Sequence, residues 1–382
     1  MSRVQPRPED FLELVERSKR GRLKLYVGFA AGVGKTYRML EEAHALKKRG
    51  VDVVIGFVET HGRAETAALI EGLEVVPRRQ VAYRGFTVED MDLDAILARR
   101  PAVAIVDELP HTNPPGSRHN KRYQDVQDIL AAGINVIGAL NIQHLESLKD
   151  VVERATGVVI RETVPDTFLK QADQIVNLDL AIEDLVDRLK SGKIYAAEKV
   201  DTALGNFFRQ ENLAALRELA LREVAESVDR TASVRLSGGD DHKATAERVM
   251  VCISSQSPRG PALLRRGSRF AGRLNTDWYA VYVETPGEAP NRIDSAVQRQ
   301  LIATISMAKE LGAEVVRLQA HDVVTALLDF ARTHGVGHIV IGRSERPWWR
   351  RMLRMNMIDR LVHEARGFDL HIVSLDDKEP RR

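Results

Sequence analysis

A single cysteine, Cys252, stands in 382 residues, so the chain can form no internal disulfide and offers no set of thiolates for a multi-cysteine zinc site. Its setting, Val249-Met250-Val251-Cys252-Ile253, reads as a core strand with a small buried thiol. That usage fits a reducing compartment, and a cytoplasmic location is expected. Excess charge of one sign is also missing: 56 Lys and Arg face 54 Asp and Glu, a formal balance of +2. A nucleic-acid groove needs a basic surplus, so no nucleic-acid polymer is expected as a partner. Long apolar runs are lacking too. The opening Met1-Ser2-Arg3-Val4-Gln5-Pro6-Arg7-Pro8 has no signal-peptide stretch, and no window approaches the roughly 18 uninterrupted apolar residues of a membrane span.

What remains is ample for globular domains. Apolar residues make up 44% and charged residues 29%, and at about 150 residues per domain the length suggests two or three domains. After an amphipathic opening (Phe11 to Val15) and the basic run Lys19-Arg20-Gly21-Arg22, strand-like runs occur at Leu23 to Val27, Val53 to Val58, Ala102 to Val106, Ile134 to Leu140 and Gln174 to Leu178. Helical periodicity fills the intervals, as in Tyr37 to Lys48 and Gln124 to Ala132. This alternation predicts an α/β fold with a parallel sheet covered on both faces. From Ala181 to Val228 the pattern is wholly helical, with Leu213, Leu216, Leu219 and Val224 spaced for one buried face. Ser237-Gly238-Gly239-Asp240-Asp241 reads as a linker. Five further strands follow, beginning at Arg248, Trp278, Glu314, His338 and Leu370, with helices between them. The expected domains are residues 20–235, a P-loop NTPase-like parallel sheet with a helical extension, and residues 246–377, a five-stranded α/β domain.

Chemistry concentrates at the first strand's end. Leu23 to Val27 runs into Gly28-Phe29-Ala30-Ala31-Gly32-Val33-Gly34-Lys35-Thr36 and then the helix from Tyr37. A small-residue turn between strand and helix presents backbone N–H groups and a helix N-terminus to phosphate. Gly32, Val33, Gly34, Lys35, Thr36 and Tyr37 are the candidate ATP contacts, with Lys35 reaching the β- and γ-phosphates and Thr36 binding Mg²⁺. Phe29 occupies the position of the strict pattern's first glycine, which lies one residue earlier at Gly28. Val103 to Val106 closes on Asp107-Glu108, a Walker B pattern in which Asp107 shares the Mg²⁺ and Glu108 orients or deprotonates a nucleophile. Asn141 or Gln143 could report on a γ-phosphate, or cap the helix that follows. Arg63 could contact phosphate or simply be solvated. His111, His119 and His144 lack the spacing of zinc ligands.

Gly28 to Thr36, Val58-Glu59-Thr60-His61-Gly62-Arg63 and Asp107-Glu108-Leu109-Pro110-His111-Thr112-Asn113 resemble the cytoplasmic input domain of KdpD-type potassium sensors. Pro115 to His119, Asn141 to Ser147, Asn206 to Arg209 and Leu216 to Arg222 extend the likeness over roughly residues 20 to 230. The resemblance implies an ATP-binding regulator of the Kdp potassium-uptake system, with Lys35, Asp107 and Glu108 serving ATP-dependent serine phosphorylation of the KdpFABC pump. It equally admits a non-catalytic module that signals by conformation. Such sensors continue into transmembrane helices and a histidine kinase, whereas this chain stops at Arg382. No autophosphorylated histidine is therefore expected, and membrane contact would come through the pump or another Kdp component. A homodimer is compatible with this reading.

The second domain resembles universal stress proteins. Their ATP-binding glycines are not matched, since Glu345 and Met355-Asn356 stand where glycine and Gly-Ser are expected. Some KdpD proteins bind cyclic di-AMP through Ser-x-Ser and a later aromatic motif. Ser255, Ser257, Trp278 and Tyr282 are the corresponding candidates here, with core packing of Trp278 and Tyr282 as the competing reading. Trp348-Trp349-Arg350-Arg351 could serve an anion, a partner surface or a lipid headgroup, or be an ordinary amphipathic surface.

Overall fold

The structure, a computed structural model, describes residues 19–83, 86–195, 197–236, 248–255, 259–288, 294–342 and 357–374. The linker at Ser237 to Asp241, Ser257, Arg343 to Asn356 and Phe11 to Val15 lie outside them. The chain forms two compact units: one of the residues to Leu145 with Val151–Val164 and Phe168–Val224, the other of Glu146–Asp150, Pro165–Thr167 and the residues from Ala225 onward.

In the first unit the chain runs β1 (Leu23–Gly28), α1 (Lys35–Lys48), β2 (Val53–Phe57), α2 (Ala64–Ala68), β3 (Glu74–Val75), β4 (Arg79–Tyr83), β5 (Phe86–Asp90), α3 (Leu93–Arg99), β6 (Val103–Val106), α4 (Arg122–Ala131) and β7 (Asn135–Asn141). It continues through α5 (Lys149–Thr156), α6 (Asp166–Lys170), β8 (Gln174–Leu178), α7 (Ile182–Lys190), α8 (Ala197–Gly205) and α9 (Gln210–Leu236), the first two residues of α5 and of α6 and the part of α9 from Ala225 belonging to the second unit. Six strands form one parallel sheet in the order β3-β2-β6-β7-β1-β8. The short strand β3 and the antiparallel pair β4–β5 were not foreseen from the sequence pattern.

The central strands β2 and β6 are buried at every position, as expected where helices cover both faces of a parallel sheet. One side packs Met39, Leu40 and Ala43 of α1 against Tyr26, Ile55, Ile105 and Ile137. Burying each large aliphatic side chain stabilises the unit by about 1.5–3 kcal/mol. In α9 the buried face is Leu213, Leu216 and Ala220, while Leu219 and Val224 are only half-buried. The turn of 3.6 residues explains the difference: Ala220 stacks four positions beyond Leu216 on the same stripe.

The second unit has β9 (Arg248–Ile253), α10 (Gly260–Arg273), β10 (Trp278–Glu284), α11 (Ser295–Glu310), β11 (Glu314–Gln319), α12 (Val323–Thr333), β12 (Val336–Gly342), α13 (Met357–Glu364) and β13 (Asp369–Val373). Its five strands are parallel in the order β11-β10-β9-β12-β13. Alternate residues enter two separate cores. Met250, Tyr279, Val281, Ile339 and Ile341 face one, and Val249, Val251, Trp278, Ala280 and Val340 face the other. Cys252 packs partly buried against the first of these cores, and burial pushes its thiol up to about 12. No described helix is long and apolar enough to cross a membrane.

One buried ion pair braces the end of the first sheet. Arg122, the first residue of α4, is 1% exposed and pairs with Asp90 at the end of β5. Its guanidinium lies 3.7 Å from the centroid of the Phe57 ring and donates to the backbone oxygens of Asp107 and Glu108. Burial alone would raise the Asp90 carboxyl, but His111 and Arg122 outweigh it and hold it down at about 2. Removing Arg122 leaves a buried carboxylate without its cation. Arg122→Ala should therefore cost about 3–5 kcal/mol in urea unfolding; a loss below about 1 kcal/mol would show that the pair does not support the fold.

Candidate functional site

The C-terminal ends of β1, β6 and β7 open on one cleft, the edge at which ligands bind in open α/β sheets. Its lining includes Gly32, Gly34, Lys35, Thr36, His61, Arg63, Asp107, Glu108, Asn141 and His144. Residues from four separate stretches of sequence thus meet at one sheet edge.

The loop between β1 and α1 forms the floor. Gly32 and Gly34 take positive φ values of 92° and 98°, which side-chain-bearing residues adopt at a cost. Gly28 is required for a different reason, because a Cβ there would stand 2.5 Å from Val33 Cγ2 and 3.4 Å from Lys35 Nζ. Phe29 meanwhile is buried, 1% exposed. The displaced glycine therefore sits where the chain must pass closest to the lysine. Helix α1 begins at Lys35 with no acidic side chain in its first turn. Its leading N–H groups and the positive end of its dipole are consequently available to an anion.

Lys35 is buried, and its Nζ donates to the Ala30 carbonyl at 3.0 Å and to Asn141 Oδ1. Asn141 pairs in register with Gly28, and it precedes the short helical turn Ile142–His144 without a side-chain cap. Its amide oxygen thus serves Lys35 rather than the turn. Burial pushes the Lys35 ammonium down to about 8. Thr36 Oγ1 donates to Asp107 Oδ2 at 2.7 Å. The Asp107 carboxyl is raised above its ordinary range by burial and then by the charge of Glu108. Both charged forms are therefore penalised by the cleft's own residues, and both penalties would ease beside an anion bound together with a cation. The buried Nε of Arg63 has no hydrogen-bond acceptor among the described residues, leaving a further donor at this edge. These features fit a metal-bound polyphosphate: the loop N–H groups, Lys35 and Arg63 toward phosphate oxygen, Thr36 and Asp107 toward the ion. Tyr37 follows in α1 and is 38% exposed.

Glu108 and His61 face each other with Oε1 and Nε2 3.3 Å apart. Both hold left-handed backbone, with φ of 53° and 51°. Such positions cost of order 1–3 kcal/mol each and cluster at functional sites. The hydrogen bond from His61 lowers the Glu108 carboxyl and reciprocally raises the imidazole. Glu108 is thus ionised at neutral pH and able to accept a proton. His144 is held neutral by burial, with Nδ1 2.9 Å from the Glu162 carbonyl.

Several participants carry no local sequence signal. Arg188 of α7 donates to the Gly32 carbonyl at 3.1 Å, and Ile194 occupies the space where a Gly32 side chain would stand. The helical extension therefore touches the loop directly. Gln143 does not line the cleft. In the second unit Trp278, Tyr282 and Ser255 are 3%, 2% and 3% exposed. Stacking on a base would require the two rings to leave the core.

Residues 19–228 match the family model described as KdpD, osmosensitive K+ channel His kinase sensor domain, and residues 245–367 match the universal stress protein family. Sensor protein KdpD of Escherichia coli (strain K12) is 45% identical over 381 residues, covering 99% of this chain and 42% of that protein. A KdpD sensor relative of Synechocystis sp. is 47% identical over 358 residues, 93% of this chain and 95% of the relative. Sensor protein KdpD of Mycobacterium tuberculosis (strain CDC 1551 / Oshkosh) is 45% identical over 362 residues, 94% and 41% respectively. The chain thus spans less than half of two of these relatives and nearly all of the third.

The left-handed backbone at Glu108 gives a direct test of strain stored at the site. Glu108→Gly should be more stable than Glu108→Gln by about 1 kcal/mol, because only glycine takes this φ without cost. Equal unfolding midpoints for the two variants would remove the strain argument.

Proposed function

The chain belongs to the KdpD sensor family, with a universal-stress-protein domain after its sensor domain, and on that premise we propose that it is a cytoplasmic ATP-binding regulator of Kdp potassium uptake. The observation that carries this reading is the buried Lys35 beside the Thr36–Asp107 hydrogen bond at one sheet edge. In this reading the β1–α1 loop is a P-loop. Lys35 and the backbone N–H groups of Gly32 to Tyr37 hold the β- and γ-phosphates, and Thr36 and Asp107 hold Mg²⁺. A bound magnesium ion would neutralise phosphate charge.

The activity we infer is phosphoryl transfer to a serine of the KdpFABC pump. Glu108 takes the proton of the incoming hydroxyl as its oxygen bonds to the γ-phosphorus, and the bond to the β,γ-bridging oxygen breaks to release ADP. Glu108 suits this role because it is ionised and half-exposed at the cleft mouth. Arg122 positions it by holding the Asp107 and Glu108 carbonyls.

A second reading is favoured by the contacts of Arg188 and Ile194 with Gly32. Here nucleotide occupancy reshapes the loop, and the helical extension carries that change to a Kdp partner without chemistry. Cyclic di-AMP at Ser255, Ser257, Trp278 and Tyr282 would be a second input in this reading.

Lys35→Ala should abolish Mg·ATP binding by calorimetry, and undiminished binding would refute the nucleotide site. With radiolabelled ATP and purified pump, label transfer that is lost in Asp107→Asn supports the kinase. Absence of transfer by a chain that still binds ATP supports the conformational sensor.

A further inference from the structure

We propose that His338, Asp369 and His371 form a binding site for one divalent transition-metal ion of the zinc class. His338 lies on β12, and Asp369 and His371 lie two residues apart on β13, so the strand period of two puts both on one face. His338 and Asp369 are register partners in the parallel ladder. The cluster therefore sits where these strands begin, at the opposite sheet edge from Ser255, which follows the end of β9.

The spacing is that of a coordination shell. His338 Nδ1 is 3.3 Å from Asp369 Oδ2 and 3.4 Å from His371 Nε2, and ligand atoms of the three residues all lie within 4.8 Å of one another. Zinc bonds to imidazole nitrogen and carboxylate oxygen of roughly 2.0–2.1 Å give a tetrahedron with edges of about 3.3–3.4 Å. Two edges of that figure are already in place. A proton is a poorer occupant, since one proton on His338 Nδ1 satisfies one of these neighbours and turns away the other.

Two features hold the donors in position. Phe270 packs against both imidazoles, with ring centroids 5.4 Å from His338 and 4.5 Å from His371. The ladder between β12 and β9 shifts register between Val336 and His338, an irregularity of the kind that re-aims a side chain. Two imidazoles and one carboxylate suit Zn²⁺, Co²⁺ or Ni²⁺ and are poorly suited to Mg²⁺ or Ca²⁺, which prefer all-oxygen shells. Three protein ligands leave a fourth position, and the 71% exposed Asp369 side chain leaves the cluster open to solvent.

The test uses the full chain without an affinity tag, stripped with chelator and titrated with Co²⁺ as the probe. One tightly bound equivalent is expected, with the visible absorption of a four-coordinate nitrogen and oxygen site, displaced by Zn²⁺ and retained in excess Mg²⁺. His338→Gln and His371→Gln should each weaken Co²⁺ binding by more than about 100-fold, since loss of an outer-shell partner alone costs 10–100-fold. Unchanged Co²⁺ affinity in both variants, or a weak six-coordinate spectrum in the parent chain, would overturn the proposal. Should the histidine variants not fold, Asp369→Asn at its exposed position decides: loss of the four-coordinate band supports the site, and an unaltered titration overturns it.

Discussion

Lys35 is buried at the end of a parallel sheet with its ammonium against the Ala30 carbonyl and the Asn141 amide oxygen. Neither neighbour carries a full charge, so burial is only partly offset and the proton is held less firmly than in water. Asp107 meets the converse problem: its carboxyl is buried beside the Glu108 charge and, among the described residues, accepts hydrogen bonds only from Thr36 Oγ1 and the Glu108 N–H. The cleft therefore holds an acid and a base that both gain by binding opposite charge. Gly28, the left-handed loop glycines and the strained Glu108 all serve to keep these groups where they are. Their conformational costs must be met by the packing beneath them.

Strand order explains why the groups meet. The lysine follows β1 and the acids follow β6, with β7 lying between those strands in the sheet. Asn141 at the end of β7 fills the gap that this intervening strand creates and becomes the lysine's partner. Behind them, Arg122 links the Asp107–Glu108 turn to Asp90 and to the Phe57 ring. A hairpin that lies outside the main sheet is thereby tied to the geometry of the cleft. In front, Arg188 donates to the Gly32 carbonyl and Ile194 packs against the same glycine, so the helical extension touches the loop backbone directly.

Much of this was legible in the sequence. The strand, glycine loop and Gly34-Lys35-Thr36 announce themselves locally, as does the apolar run closing on Asp107-Glu108, because the chemistry needs those residue types in immediate succession. The parallel alternation was equally readable, since strands buried on both faces become continuous apolar runs. Legibility ended where partners are distant in the chain. Nothing near Arg122 marks it as buried, for its reason lies at Asp90 and Phe57. The two-residue strand β3 is too brief, and the β4–β5 hairpin too mixed in polarity, to stand out as the continuous apolar runs of the buried strands do. His338, Asp369 and His371 carry no zinc-ligand spacing in the sequence for the same cause, since two parallel strands set their proximity.

The central claim is that Lys35 is a buried ammonium whose proton is held loosely and whose charge is balanced by a bound polyphosphate. Carbon-13 NMR of the lysine side chains, titrated with pH in the free chain and with Mg²⁺ and a non-hydrolysable ATP analogue, reads this directly. Lys35 should titrate at about 8 when free and move upward by more than one unit when the analogue binds, as an added anion requires. A Lys35 that titrates at the ordinary lysine value in the free chain, or that does not respond to the analogue, would contradict it.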